Sequence, residues 1–512
     1  LEVKMLEEDK AKPDNYIYNL LIAGCAAAGY TKKSFKLFND MKKRNLKVTG
    51  GTYTSLFNAC ANSPWPKDGL RRANYLRELM LEKNYEPNIT NYNVMIKAFG
   101  RNNDLQTAFS LVDEMIDRKL EIPVSTMNFL LQACITDKKA GFRHALLVWR
   151  KMLQMKKKPD TYTFNLLLHC VQDCGLGDLK DSKLFFDNII ENSKELKGTS
   201  KQLLLESPKS NDLIESNNQE QTYSDVPNLL SKDPQLGKIV DVSDITQPEH
   251  RLYLLGGASG FLKQMYLHKA VPDIKTYTQL LQTIPPTNSA EISLLKMMKR
   301  TGDKVDVCFF NMLMKRRVVR FDYEGAKEVL NMIKTAGLKT DLITYGILAM
   351  TCETKFEARD LLDDINSYGH RPNAEILGTM LKTACKKISF GYVRLIMNTI
   401  VDEIIRPNES IYNILEDFQK QCMKSSEDLH NKVYCEHLKN INHEYFTTLY
   451  PKFANDYTLW LGKVEKLFPK RKIHPWEQFR ESLEQGFEGR KEFEKRRKIK
   501  KRFICKRLAY LA

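Results

Sequence analysis

Residues 307–341 read VCFFNMLMKRRVVRFDYEGAKEVLNMIKTAGLKTD and contain every element of a pattern that recurs along the chain. Near the start of the stretch an aromatic residue is followed by a polar one, Phe310-Asn311, and the stretch ends on Asp341. Two apolar stripes at helical spacing lie between these points, and the second places large residues after a small one. Its members are Ala326, Val329, Leu330 and Ile333. The pattern predicts two amphipathic helices, which we call helix A and helix B.

The same pattern starts again about every 35 residues. The starts led by an aromatic residue are Tyr18-Asn19, Tyr53-Thr54, Tyr92-Asn93, Phe164-Asn165, Tyr277-Thr278, Phe310-Asn311, Tyr345-Gly346 and Tyr412-Asn413. Two further starts, Met127-Asn128 and Leu377-Gly378, keep the same spacing without the aromatic. Several units end in Pro-Asp or Pro-Asn, where proline stops helix B and the next side chain caps the following helix A. Because two helices cannot bury their apolar faces alone, the units must stack into an all-α solenoid.

Composition limits the kind of partner. The 80 Lys and Arg residues outnumber the 63 Asp and Glu residues and give a net charge of +17, which favours a polyanion such as nucleic acid. Four of the eleven cysteines, Cys25, Cys60, Cys134 and Cys352, fall at the same position of their units, and no Cys-x2-Cys pair occurs. We expect core thiols in a reduced compartment, with no metal site, no cofactor and no membrane span.

The pattern also predicts the organisation of the chain. Residues 1–14 are typical of the second half of a truncated repeat, so we expect its first half and any transit peptide to precede Leu1. About five repeats follow over 15–192, and about five more units over 250–408. The Ser-, Asn- and Lys-rich stretch 193–249 predicts a flexible polar insertion, residues 409–469 a helical cap, and residues 470–512 a basic, aromatic tail.

These repeats resemble the pentatricopeptide repeat family over about residues 15–192 and 250–415. The resemblance rests on the Tyr-Asn-x-Leu-Ile start of the repeat, as at Tyr18, and on its Pro-Asp end, as at Pro159. The sequence signature of tetratricopeptide repeats is missing. The resemblance implies a right-handed superhelical solenoid of paired antiparallel helices, interrupted by a disordered insertion. Non-repeat stretches resemble an animal mitochondrial branch of the family; they are 53–65, 137–150, 173–178 and 474–476.

The resemblance implies one RNA base per repeat, contacted by the residue after the helix A aromatic (position 5) and the last residue of the unit (position 35). The pairs carried over are Asn19/Thr49, Thr54/Asn88, Asn93/Pro123, Asn128/Asp160, Thr278/Asp306, Asn311/Asp341, Gly346/Asn373 and Gly378/Asn408. Asn165 is a further position 5 residue whose partner is expected to be lost in the insertion. Asn or Asp before a helix is also an ordinary N-cap, so base contact and capping both stay open for any single pair.

Residues at several other positions weaken the prediction that every repeat contacts a base. Position 2, which in the family wedges against the base, includes Gly51, Thr90, Ser125, Lys275 and Glu375 here. Gly346 and Gly378 have no side chain, and Thr49 and Pro123 are poor readers. In the tail, Lys495, Arg496, Arg497, Lys498, Lys500, Lys501 and Arg502 are candidates for RNA backbone contact, with a solvated charged helix as the alternative.

No catalytic constellation emerges, so the sequence predicts a protein that is not an enzyme. The resemblance implies single-stranded RNA binding in the mitochondrial matrix and a role in tRNA metabolism, including 3′-end processing and leucine tRNA levels. Its implied partners are tRNA precursors or ribosomal RNA, a tRNA 3′-processing nuclease, and the large mitochondrial ribosomal subunit. The alternatives are a protein–protein scaffold of RNA processing or ribosome assembly and a metallonuclease; the latter needs clustered aspartates on an α/β fold, which the helical pattern does not favour.

Overall fold

The computed structural model describes residues 14–178, 180–186, 227–231, 234, 245–302, 305–430 and 443–469. Within these ranges every regular element is a helix, as the repeat pattern predicts. The chain divides into two compact units, Leu1–Lys304 and Val305–Ala512. The predicted truncated repeat before Asp14, the insertion up to residue 226 and the tail 470–512 lie outside the described residues.

The first unit alternates helices A and B. Its helices are α1 (Asn15–Ala27), α2 (Thr31–Lys43), α3 (Gly50–Ala61), α4 (Pro66–Glu82), α5 (Ile89–Arg101), α6 (Leu105–Asp117), α7 (Val124–Thr136), α8 (Gly141–Gln154), α9 (Thr161–Asp173), α10 (Pro248–Leu254), α11 (Gly257–Leu267), α12 (Ile274–Thr283) and α13 (Asn288–Thr301), and residues 180–186 are also helical. The A helices α1, α3, α5, α7, α9 and α12 each contact the next and form one continuous layer.

The second unit repeats this arrangement. Its helices are α14 (Val307–Val319), α15 (Tyr323–Thr335), α16 (Leu342–Ala349), α17 (Lys355–Ser367), α18 (Ala374–Lys386), α19 (Phe390–Asp402), α20 (Glu409–His430) and α21 (His443–Leu467). The A layer runs through α14, α16, α18 and α20, while α17, α19 and α21 pack in series behind it.

Helix boundaries follow from local chemistry. The predicted N-caps are present: the Asp341 carboxylate accepts from the Thr344 amide at 2.8 Å, and Asn373 accepts from the Ile376 amide at 2.8 Å. Helix B ends on a left-handed residue, such as Asn45 with φ of 52°, after which the next amide bonds back to the carbonyl five residues earlier. In units with a cap at each end, the two caps therefore fix the length of the unit.

The core contains the predicted stripes. Tyr18, Tyr92 and Tyr345, the aromatics that start their units, are at most 1% exposed. Cys60 and Cys352 are buried as expected, and burial raises the pKa of each thiol to about 12. These thiols are protonated at neutral pH and contribute to the core as small apolar groups.

The boundary between the compact units does not fall at the insertion. The sequence analysis places two repeat blocks at 15–192 and 250–408, which stays a prediction, and the boundary between the compact units lies between Lys304 and Val305. The reason is that α12 packs directly against α9, so the segment after the insertion continues the same layer. The helix B of this segment is α11, in which Phe261, Leu262 and Met265 are buried.

Part of the predicted flexible insertion is ordered. Leu229 and Leu230 are fully buried, and the indole Nε1 of Trp149 on α8 donates to the Leu230 carbonyl at 3.1 Å. The guanidinium of Arg150 donates to the Ser231 carbonyl at 2.8 Å and also to the Leu229 carbonyl. Sequence composition could not show this, because two leucines in a polar stretch gain stability only from the tertiary pocket that receives them.

The last helices close the second unit. Phe453 of α21 lies 5.4 Å from Phe390 and 5.3 Å from Phe418, measured between ring centroids. The indole of Trp460 donates to the Met397 carbonyl of α19 at 2.9 Å. The pair α20 and α21 covers the apolar ends of α18 and α19, which is the role of a terminal cap in a solenoid.

Candidate nucleic-acid interface

The predicted reading positions lie together in the first turns of each helix A. Position 35 is the N-cap, position 2 follows in the first turn, and position 5 lies one turn further on. Since the A helices form one layer in each unit, the structure arranges these positions as a row of similar stations. We define a station as a position 5 residue together with the N-cap and the third residue of the next helix A.

The five stations with asparagine at position 5 share a hydrogen bond that the sequence analysis did not predict. In each of these five, a threonine hydroxyl in the first turn of the next helix A lies 2.6 or 2.7 Å from the amide oxygen of the position 5 asparagine. The pairs are Thr52 with Asn19, Thr126 with Asn93, Thr163 with Asn128, Thr276 with Asn165 and Thr344 with Asn311. The bond orients each asparagine and joins consecutive repeats.

The position 35 aspartates join the same cluster. Asp341 accepts from the Thr344 amide and from the Asn311 amide nitrogen, at 2.8 and 3.0 Å. At Asp160, the Thr163 hydroxyl lies 2.7 Å from both the aspartate and the Asn128 oxygen. Each aspartate is therefore an N-cap and also a neighbour of the position 5 side chain.

Asn165 has a partner, contrary to the sequence prediction. Its amide nitrogen donates to the Asp273 carboxylate at 3.1 Å, and its amide oxygen accepts from Thr276 at 2.7 Å. Asp273 was assigned only to a unit end, because the partner was sought at a fixed distance along the chain. The contact of α9 with α12 restores it across the insertion.

The remaining predicted residues differ in their surroundings. The Thr54 and Thr278 hydroxyls donate to carbonyls of their own helices, at 2.9 and 2.7 Å. The side-chain amides of Asn88 and Asn408 accept from the amides of Asn91 and Ile411. Thr49 and Asp306 are N-caps as well, and Pro123 occupies the N-cap position without a side-chain bond. A β-carbon at Gly346 or Gly378 would make ordinary van der Waals contact with Ile376 or Ile411, at 3.9 and 3.6 Å, and neither glycine offers a polar group.

Exposure decides what each position can contact. Asn128, Asn165 and Asn311 are only 5 to 7% exposed, whereas the caps Asn88, Asp160, Asp306 and Asn373 are exposed. The sequence analysis overlooked three large side chains at position 2, which counting back three residues from position 5 would have found. These are Tyr16, Tyr162 and Ile343, and they are 72%, 50% and 61% exposed. Planar and apolar surface thus stands beside polar edge groups at these stations.

Two cations on α5 lack the acidic partners found elsewhere. The Lys97 ammonium and the Arg101 guanidinium donate to the side-chain oxygens of Asn58 and Asn62, at 3.1 and 2.7 Å. Neighbouring repeats elsewhere use carboxylates for such contacts, for example Lys138 with Asp173. Burial and the charge of Arg101 lower the pKa of Lys97, so a bound anion would stabilise this pair.

Two stations respond to pH through their aspartates, Asp273 and Asp341. Burial alone raises the pKa of Asp273 and Asp341, but bonds from Thr276 and Asn165, or from Thr344 and Asn311, outweigh it and hold each pKa below its ordinary value. A carboxylate with a lowered folded pKa contributes stability above its unfolded pKa of about 3.9 and loses it as pH falls through the folded pKa.

We therefore expect the unfolding free energy of the wild type to fall more steeply between about pH 5 and pH 3 than that of Asp341→Asn. Asparagine preserves the cap, as Asn373 and Asn408 show, but does not titrate in this range. Urea unfolding at each pH measures the difference. Identical acid sensitivity in both proteins would show that Asp341 has the same pKa in the folded and unfolded chain.

The tail residues Lys495 to Arg502 lie outside the described residues. None of the described helices is long and apolar enough to cross a bilayer. Across the described residues, no group of three His, Cys, Asp or Glu side chains is placed to hold a metal ion.

A layered all-α solenoid with a recurring polar station in helix A defines a helical-repeat protein, and the chain belongs to the pentatricopeptide repeat family. The model described as "PPR repeat family" matches residues 13–62 and 87–136, and that described as "Pentatricopeptide repeat domain" matches residues 293–354. The chain is similar to "Pentatricopeptide repeat-containing protein 1, mitochondrial" of Rattus norvegicus, with 31% identity over 94% of this chain and 76% of the relative.

Two further relatives carry the same name. The Mus musculus protein is 32% identical over 81% of this chain and 68% of its own length, and the Homo sapiens protein is 29% identical over 94% and 74%. The mitochondrial branch indicated by the non-repeat residues is thereby confirmed. Among solved structures, the chain is similar to the pentatricopeptide repeat protein PPR10 in complex with an 18-nt psaJ RNA element, at 18% identity over 91% of this chain and 60% of that one, with a TM-score of 0.34. The structure of PPR10 from maize aligns over 91% of this chain at 16% identity, with a TM-score of 0.27.

Proposed function

We propose that this chain is a non-catalytic mitochondrial protein that binds single-stranded RNA along its A layers. The observation that carries the proposal is the recurring station, in which a threonine hydroxyl orients the position 5 asparagine next to the N-cap of the following helix A. Helical repeats of this family read one base per unit with two or three side chains. Amide and carboxylate groups at fixed positions distinguish base edges by hydrogen bonding.

The surroundings of the stations support the same partner. Tyr16 and Tyr162 present exposed rings at position 2, where a base can stack. Lys97 and Arg101 lie on the same helix as Asn93, one and two turns further on, and supply positive charge for a phosphate. The net charge of +17 adds a general attraction for polyanions.

Within mitochondria, we propose a role in tRNA metabolism, with tRNA 3′-end processing and leucine tRNA levels as the specific steps. The matrix is the compartment where these RNAs are found, and large ribosomal RNA or subunit assembly is a second context. The support is the family resemblance and the mitochondrial names of the relatives. In this role the A layer would hold an unpaired segment, and neighbouring nucleases or assembly factors would find it exposed or protected.

Two aspartate caps provide a matched test. Asp160 caps helix A α9 and contacts Thr163, while Asp104 caps helix B α6 and contacts Thr107 in the same way, at 3.1 Å to the amide. Either change to alanine should lower stability by about 1 kcal/mol. Only Asp160→Ala should reduce the preference for selected over unselected RNA, by about tenfold. Equal loss of preference in both variants would show that the caps act through stability alone.

The RNA itself is identified by ultraviolet crosslinking in intact mitochondria, using the tagged full-length protein and sequencing the recovered fragments. We expect a discrete footprint on tRNA precursors or ribosomal RNA, reduced by Asp160→Ala but not by Asp104→Ala. Background RNA recovery together with a stable set of proteins would contradict the proposal and favour a scaffold.

One observation favours the scaffold as a second candidate. Exposed aromatics stand at the turns between helices A and B, at the opposite end of helix A from the stations. They are Tyr30 and Trp65 in the first unit and Phe321 and Phe356 in the second, each 59 to 79% exposed. Such side chains are enriched in protein interfaces. A scaffold requires that Trp65→Ala reduce the recovery of co-purified proteins while RNA binding stays unchanged.

A further inference from the structure

The fifth repeat is built from two distant parts of the chain. Its helix A is α9, and its helix B is α11, which begins 84 residues after α9 ends. The next helix A, α12, nevertheless lies against α9, and the Thr161 hydroxyl donates to the Val271 carbonyl at 2.9 Å. The repeat is therefore complete in space although it is interrupted in sequence.

The station of this repeat matches the uninterrupted ones in detail. Asn165 contacts Thr276 at 2.7 Å and Asp273 at 3.1 Å, and Asn311 contacts Thr344 at 2.7 Å and Asp341 at 3.0 Å. The same bonds lower the pKa of both aspartates. Neither matched family model extends over residues 161–283. The pairing of Asn165 with Asp273 is identified by the geometry.

Arg251 holds the two parts in register. This side chain of α10 is only 5% exposed and donates to the Val171 and Gln172 carbonyls of α9, at 2.7 and 3.2 Å. It also donates to the Thr246 carbonyl at 2.6 Å. Arg251 thus satisfies carbonyls that the end of α9 leaves without helical partners and ties the segment after the insertion to them.

We propose that Asn165 and Asp273 form a base-reading station assembled across the insertion, and that Arg251 is its positioning residue. The inference rests on the proposed function and adds that the insertion leaves no gap in the RNA register. The nucleotide read by Asn165–Asp273 directly adjoins the one read by Asn128–Asp160. Because the polar groups are the same, both stations select the same base.

The test uses the full chain and a pool of random RNA oligonucleotides, with sequencing of the bound fraction. The Asn128→Ala variant identifies the nucleotide of the enriched motif that Asn128 contacts, because the preference at that nucleotide is lost. We expect Asn165→Thr, which copies the residue at Thr54 and Thr278, to change the preference about tenfold at the adjacent position only. Threonine replaces the carboxamide by a hydroxyl that can bond to a carbonyl of its own helix, as Thr54 and Thr278 do, so the variant should unfold at close to the wild-type temperature.

Arg251→Met and Arg251→Lys separate positioning from general stability. Positioning predicts that Arg251→Met removes the preference at that single nucleotide while the other positions keep theirs, and that Arg251→Lys restores part of it. A purely structural role would lower the unfolding temperature and leave every preference in place, which would overturn the role of Arg251.

The remaining outcomes distinguish this inference from the proposed function. If Asn165→Thr changes no position while Asn128→Ala does, Asn165 is only a structural partner of the cap and the station is refuted. If the two affected nucleotides are separated in the motif, the insertion interrupts the register and the inference is also refuted. If the wild-type chain enriches no sequence, the proposed function itself fails, and the inference with it.

Discussion

Replacing Trp149 with alanine is expected to lower the free energy of unfolding of the first unit by about 3 to 5 kcal/mol. The indole is fully buried, and its ring lies 5.1 Å from Phe164 in an edge-to-face contact. Truncation leaves a large cavity between α8 and α9 and removes the donor that satisfies the Leu230 carbonyl. Urea or guanidinium denaturation measures the loss.

Trp65→Ala is the matched control. This indole is 59% exposed at the turn before α4, so its removal should change stability by about 0.5 kcal/mol or less. A second variant, Trp149→Phe, keeps most of the ring and loses only the donor, and we expect an intermediate loss. If Trp149→Ala and Trp65→Ala cost the same, the pocket around Trp149 does not contribute to the stability of the first unit.

Gly100→Ala should destabilise the first unit by about 1 to 3 kcal/mol, although alanine favours helix formation. A β-carbon built at Gly100 of α5 would stand 2.3 Å from the Ala133 β-carbon and 3.0 Å from the Ala133 α-carbon of α7. Neither atom is the end of a flexible side chain, so the two helices would have to separate. The loss is measured by denaturation together with hydrogen exchange of α5 and α7.

Gly24 provides the control for this change. It lies inside α1, is exposed, and a β-carbon there meets no atom within 4 Å. Gly24→Ala should therefore raise stability by about 0.5 to 1 kcal/mol, because only the helix propensity changes. The two glycine substitutions are expected to have opposite signs. Stabilisation by both would mean that α5 and α7 have room for a β-carbon between them.

Most of the fold could be predicted from the sequence because the same signals recur in each repeat. The aromatic start, the helix B stripe and the cap at the unit end give three independent signals for each pair of helices. Even the starts without an aromatic, Met127 and Leu377, lie in helices where the phase places them. A repeated pattern reduces the error because one irregular unit is corrected by its neighbours.

The parts that could not be predicted depend on contacts between distant residues. Asp273 is 108 residues from Asn165, and the partners of Trp149 and Arg150 are about 80 residues away. The bond from threonine to asparagine was missed for a simpler reason. The sequence analysis gave no role to residues such as Thr163 and Thr344, and only the packed neighbour shows that they orient position 5.

The bonds between stations also determine when each repeat can pack against the next during synthesis of the chain. Asn19, Asn93 and Asn128 each receive their threonine partner 33 to 35 residues later, whereas Asn165 receives Thr276 after 111 residues. At roughly 5 to 20 residues per second, the end of the A layer formed by α9 would stay uncovered for about 5 to 20 seconds while the ribosome completes the intervening segment. The nascent chain is therefore most vulnerable to misassembly or proteolysis at this repeat, before its second half has emerged.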